Sequence, residues 1–173
     1  MIEAADGTDR QPVSGDVYRR LLSHFASGVT VVTVRTEAEI QGMTVSAFAA
    51  VSLDPPLVLV CIDHRARTLP RLLASGRFCV SILHSGQEAI ANHFAGRGGG
   101  KDPRMDDAFS ITSGGAAVVR NCVAYLECRA AVVHEAGDHS VVIGLVEEGA
   151  AADGALPLVH WRSQYHTLVR PAR

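Results

Sequence analysis

Short β-branched runs, cut repeatedly by turn signals, limit what this chain can fold into. Val29 to Arg35 reads VTVVTVR, and residues 40–53 continue in the same style until Asp54-Pro55-Pro56 breaks them. Leu57 to Ile62 is unbroken apolar sequence, the pattern of a strand buried on both faces. Arg77 to Leu83 reads as another strand. Cys122–His134 and His139–Glu147 read as a hairpin around Ala136-Gly137-Asp138. A Gly/Ala-rich loop is expected over 149–155, then a last strand over Leu156–Trp161, with Tyr165 beginning the tail. Helical spacing appears in only three short places. Over 16–27, Val17, Leu21, Leu22 and Phe25 recur, with Ser14 or Asp16 as cap and Gly28 beyond the end. A second helix starts with Thr68 as cap, carries Pro70 in its first turn and stops at Gly76. The third follows Ser85-Gly86-Gln87-Glu88, which fits a capping box, and has Ile90 and Phe94 on its apolar face. The balance predicts a mainly-β barrel. It disfavours a doubly wound parallel sheet, whose strands alternate with long helices.

The 173 residues suit one domain, expected over 16–173 behind a loose polar tail at 1–15. A hydrophobic fraction of 47% is enough for a core without staples. Net charge is −2 with no basic stripe, which argues against nucleic acid and against a membrane surface. No apolar run approaches the length of a transmembrane helix. The acidic N-terminus (Glu3, Asp6, Asp9) has no apolar core of a secretory signal, so a cytoplasmic location is expected. Cys61, Cys79, Cys122 and Cys128 sit in apolar runs without a C-x-x-C pair and read as reduced, buried residues. Residues 96–107, rich in glycine and charge, read as a mobile loop.

Several familiar chemistries fail on spacing. Gly96 to Lys101 reads GRGGGK, but Ala95 and Asp102 stand where a Walker A loop needs Gly and Ser or Thr, and Lys101 spoils a dinucleotide fingerprint. The eight histidines make neither H-x-H nor H-E-x-x-H, so no metal site is expected. No G-x-S-x-G nucleophile elbow occurs. Asp138 and His139 are adjacent, and adjacent strand residues point to opposite faces, so no relay between them is expected.

Three stretches carry the chemistry: Phe25-Ala-Ser-Gly-Val-Thr-Val-Val-Thr33, Gly42-Met-Thr-Val-Ser-Ala-Phe-Ala-Ala-Val-Ser-Leu-Asp-Pro-Pro-Leu-Val58, and Gly137-Asp138-His139-Ser140. Thr44, Ser46 and Ser52 put hydroxyls at even spacing, on one face of an extended segment. Such donors, with small neighbours at Ala47, Ala49 and Ala50, suit the polar edge of a planar ring; a Thr/Ser-rich strand with one solvated face is the plainer alternative.

Together these stretches resemble the flavin reductase-like family, the small NAD(P)H:flavin oxidoreductases that serve two-component flavin monooxygenases, over about residues 17–168. The resemblance implies a six-stranded Greek-key split barrel with a few short helices, a homodimer, and hydride transfer from NADH or NADPH to FMN or FAD. It also implies a partner monooxygenase that receives reduced flavin. By the same resemblance, Thr30 and the segment Thr44, Val45, Ser46 and Ala47 line the flavin, with Ser52 a later contact. Cys61, Ile62 and Asp63 end the strand beside the ring. Arg67 and Thr68 form a phosphate-binding turn, a role that a helix N-terminus also suits. Phe94, Ala95 and Arg97 close over the cofactor tail. His139, the catalytic candidate, stands near the nicotinamide, although stabilising the turn is an alternative role. Trp161 and Tyr165 either stack on cofactor or belong to the core or dimer interface. Two departures stand out: Ala47 and Ala50 replace common serines, and Gly114-Gly115-Ala116-Ala117-Val118 replaces the usual Gly-x-Pro-x-Leu.

Hydride transfer of this kind needs no protein nucleophile; the protein orients two cofactors and sets their electrostatics. Main-chain N–H groups of Thr44 to Ala47 are the expected donors to the anionic reduced ring. A flavin carrier without NAD(P)H turnover, or a barrel adapted to another ligand, are the alternatives.

Overall fold

The computed structural model describes residues 11–96 and 107–169. The loop expected over 96–107 therefore lies almost wholly outside the described residues, as does Arg97. The mainly-β, antiparallel expectation is met.

Helix α1 (Gly15–Leu22) is capped by Ser14, whose Oγ accepts from the Val17 N–H at 3.4 Å. It is shorter than the 16–27 expected. His24 and Phe25 donate to carbonyls three residues back, which tightens the chain out of the helix. Strands β1 (Ser27–Gly28), β2 (Thr30–Arg35), β3 (Ile40–Val45), β4 (Phe48–Leu53) and β5 (Pro56–Asp63) follow. Then come α2 (Thr68–Ser75), β6 (Arg77–Ile82), α3 (Glu88–Phe94), β7 (Phe109–Ile111) and β8 (Ala117–Val119). The long hairpin β9 (Ala124–Ala136) and β10 (His139–Ala151) turns at Gly137-Asp138, with Gly137 at φ +63°. Strand β10 runs to Ala151, into the expected 149–155 loop. β11 (Leu158–Trp161) pairs with β12 (Gln164–Thr167), so Tyr165 lies in a strand rather than a tail.

The main sheet has seven strands in the order β3-β2-β6-β9-β10-β5-β4. Its two edge strands, β3 and β4, are consecutive in the chain and joined only by Ser46-Ala47. A joint this short brings the two edges of the sheet to one corner. The curvature this requires is visible in the core, where Val34, Val45, Val60, Val80, Cys128 and Val142 come from six strands and meet around Leu69 and Leu72 of α2. A second cluster on the other face of β2 joins Val29 and Val31 to Leu83, Ala91, Val119 and Leu158. Strand β2 is thus buried on both faces, as is the middle of its neighbour β6. Strand β5, expected to be so, alternates instead: Val58, Val60 and Ile62 are buried while Leu59 and Cys61 are half-exposed.

The caps expected for α2 and α3 do not form. Arg67 already has helical φ and ψ, so Thr68 falls inside α2 and is buried. Ahead of α3 the Gln87 side chain is spent elsewhere: its Oε1 accepts from the His84 N–H at 3.0 Å and its Nε2 donates to the Arg120 carbonyl at 2.7 Å. All four cysteines are free. Cys79 and Cys128 are buried, and burial pushes both thiols up to about 12. Cys61 and Cys122 are only half-buried.

The β11–β12 turn carries two non-glycine residues in the left-handed region, Arg162 at φ +49° and Ser163 at φ +62°. Arg162 donates its N–H to the Ser23 carbonyl at 2.8 Å, and its guanidinium stacks on Trp161. Trp161 Nε1 donates to the His24 carbonyl at 3.3 Å. The hairpin therefore fastens the end of α1. Ser163→Gly should relieve about 1 kcal/mol of backbone strain and raise Tm by a few degrees. Calorimetry checks this, and an unchanged or lower Tm would count against strain at this residue.

Candidate functional site

The Ser46-Ala47 joint opens onto a groove of about 510 Å³, within the range of cofactor sites. One wall is the apolar side of α1 and the chain after it: Tyr18, Leu22 and Phe25. The facing wall is Phe48, Ala49 and Leu59 from β4 and β5. Its polar lining comes from Arg19, Ser23, Ser27, Ser46, His160 and Ser163. Beside it lies a smaller recess of about 150 Å³, where Thr44, Ser46, Ala95 and Tyr165 meet.

At the joint, the Phe48 N–H donates to the Ser46 carbonyl and the Cys61 N–H to the Ala47 carbonyl, both at 3.0 Å. The N–H groups of Ser46 and Ala47 donate to no protein acceptor among the described residues, and both residues are exposed. Two adjacent amide donors therefore lie, at exposed residues, at the corner where the two edge strands meet. That is a fit for the acceptor edge of a flat heteroaromatic ring held between apolar walls.

The sequence-selected residues divide into groups. Thr44, Ser46, Ala47, Ala95 and Tyr165 come together at the groove and recess. Thr30 does not join them: it is buried and its Oγ1 donates to the Val45 carbonyl at 2.7 Å. Val45, Ile62 and Thr68 are also buried. Thr44, Ser46 and Ser52 do not share one extended face. The strand breaks at the joint, so Thr44 sits on one edge strand and Ser52 on the other, beside an irregularity in the β4–β5 pairing. Phe94 packs its ring against Gly42 and Phe109. Arg67 is exposed at the start of α2.

Cys61, Asp63 and His139 form the remaining group. Asp63 pairs with His139 and Cys61 with Val141 across β5 and β10, on the half-buried outer face. The Cys61–Ala47 hydrogen bond connects this strip to the joint. Against expectation, His139 Nδ1 lies 2.7 Å from Asp138 Oδ1. The alternation argument fails because Asp138 belongs to the turn, outside the pleat. That bond and the neighbouring His139 charge hold the Asp138 carboxyl below its ordinary range. With Asp138 ionised, the hydrogen on Nδ1 is directed at its carboxylate, which fixes the orientation of the ring and leaves Nε2 uncommitted to this pair. The Arg65 side chain grips both oxygens of Asp63 and, with the Arg65 N–H, holds that carboxyl far below the usual carboxylate range.

Sequence reasoning missed the α1 wall, Phe48, Leu59, His160 and Ser163. The apolar residues of α1 recur at helical spacing, but only the structure shows that none of them is buried.

A family model described as "Flavin reductase like domain" matches residues 22–169. The reductase component of 4-hydroxyphenylacetate 3-monooxygenase from Thermus thermophilus is 41% identical over 157 residues, covering 91% of this chain and 99% of that one. A protein named flavin reductase (NADH) from Kitasatospora aureofaciens is 38% identical, covering 88% of this chain and 81% of its own length. Among solved structures, the NADH:FAD oxidoreductase SgcE6 of Streptomyces globisporus C-1027, in complex with NAD and FAD fragments, superposes with a TM-score of 0.85 at 33% identity over 95% of this chain and all of that one, 100%. With the groove, the free amides and a match across nearly its whole length, this chain belongs to the flavin reductase-like domain family.

Proposed function

We propose that this protein reduces FMN or FAD with NADH and passes the reduced flavin to a partner monooxygenase. The observation that carries the reading is the pair of free N–H groups at Ser46 and Ala47, set in an apolar groove wide enough for a tricyclic ring. The relatives add the activity: a reductase component of a monooxygenase, a flavin reductase (NADH), and an NADH:FAD oxidoreductase.

A bound flavin supplies the two-electron acceptor for a hydride from the nicotinamide. The chain's own residues bind and orient. The Ser46 and Ala47 N–H groups would donate to an acceptor edge of the bound ring and favour added negative charge there. Phe48, Ala49 and Leu59 exclude water from one side, and the α1 wall from the other. Arg67 is a cation for the flavin phosphate; Arg65 and Arg71 beside it are already paired with Asp63 and Glu39. His139, held by Asp138, positions the nicotinamide.

In this reading β3 and β4 are two halves of one bent strand, and the sheet closes as a six-stranded Greek-key split barrel. The half-exposed strip of Leu59, Cys61, Val141 and Ile143 is an apolar sheet face that a second copy would cover, which favours a homodimer. No helix among the described residues is long and apolar enough to cross a membrane. A cytoplasmic site of action accords with NADH as donor.

The test follows absorbance at 340 nm with protein, NADH and either FMN or FAD. Oxidation of NADH that depends on both flavin and protein is expected; none with either flavin would overturn the reading. His139→Ala should raise the KM for NADH by about tenfold, the loss of one hydrogen bond from a charged or polar partner, and leave the flavin Kd within twofold. Wild-type kinetics would remove His139 from the nicotinamide site.

A further inference from the structure

The Thr44 hydroxyl has a use that even spacing along a strand does not suggest. Its Oγ1 donates to the main-chain carbonyl of Ala91, in the middle of α3, at 2.7 Å. The same carbonyl accepts the Ala95 N–H at 3.0 Å, so one oxygen receives both the strand and the end of the helix. Two residues earlier, Gly42 lies under the Phe94 ring so closely that an added Cβ would come within 2.9 Å of Cδ1 and Cε1. Edge strand β3 thus holds α3 at two points on one face: a hydrogen bond at Thr44 and a flush ring contact at Gly42. Ala95, just past the helix, walls the recess together with Thr44 and Ser46.

We infer that Thr44 is a positioning residue, which holds α3 so that Ala95 closes the recess beside the flavin groove, and that its proton is not donated to the ligand. The inference rests on the flavin reading for its consequence, but the latch itself is a property of the ligand-free chain. A hydroxyl has one hydrogen, and here the geometry assigns it to Ala91. Serine at this position would preserve the donor. Valine would keep the shape and leave a carbonyl of α3 with one partner fewer.

Thr44→Val and Thr44→Ser are compared with wild type in two measurements. Amide hydrogen exchange over residues 88–95 is read on the ligand-free protein, and FMN and FAD affinity by fluorescence titration. For Thr44→Val, exchange in α3 should be about tenfold faster before any flavin is added, and flavin affinity about 5- to 10-fold weaker, as expected for one lost hydrogen bond. Thr44→Ser should restore both to within twofold. Weaker flavin binding with unchanged α3 exchange would make Thr44 a direct ligand contact and overturn the latch. Faster exchange with unchanged affinity would overturn the link to the site, and a serine variant as impaired as valine would overturn the role of the hydroxyl. Should wild type bind neither FMN nor FAD, the flavin reading fails, while the exchange data still report on the latch.

Discussion

Ala47→Phe should weaken flavin binding by about 100-fold or more, an effect of roughly 3 kcal/mol. Ala47 is exposed at the joint and lines the groove, so a benzyl group there occupies the space between the β4–β5 wall and α1. No core contact is disturbed, and Tm should move by no more than about 2 °C. The comparison is a flavin titration of both proteins beside a thermal melt. A variant that melts like wild type and binds flavin like wild type would exclude this groove as the flavin site.

Gly144→Val should strongly destabilise the fold. Gly144 is buried on β10 between Val58 and Ala130. A Cβ placed there would come to 2.5 Å from Phe78 Cζ and 3.1 Å from Cys128 Cβ, in the middle of the main core. Overpacking of that kind costs about 3 kcal/mol, or roughly 6–12 °C in Tm. Gly28→Ala is the control, because an added Cβ there meets nothing within 4 Å. Its stability should stay within about 0.5 kcal/mol of wild type. Equal melting temperatures for the two variants would mean that β10 gives way at Gly144 more easily than the packing implies.

Much of the sheet was legible because strand signals are local. The β-branched run at Val31–Val34, the turn at Gly137-Asp138 and the stop at Gly76, which adopts φ +65°, are written in neighbouring residues. What failed depends on distant partners. Ser46-Ala47 carries no turn signature; the chain bends there because β3 pairs with β2 and β4 with β5. The Ser85–Glu88 capping box fails because α3 starts at Glu88, with Gln87 as its N-cap and the Gln87 amide bonded to the Arg120 carbonyl, 33 positions away in sequence. β7 and β8 are short, and β8 is held by contacts with the distant strands β2 and β6. At the site, motif resemblance selected Ser46 and Ala47. It could not tell a hydroxyl facing the groove from one committed to the protein, as at Thr30 and Thr44. The α1 wall escaped notice because a helix with an exposed apolar face has the same periodicity as one packed on a core.

The corner at Ser46-Ala47 also ties recognition to mechanical integrity. A guest that accepts both amides there clasps the first and last staves of the sheet in one grip, like a buckle on a belt. Its hold is then shared by every strand between them, and no loop has to move to transmit it.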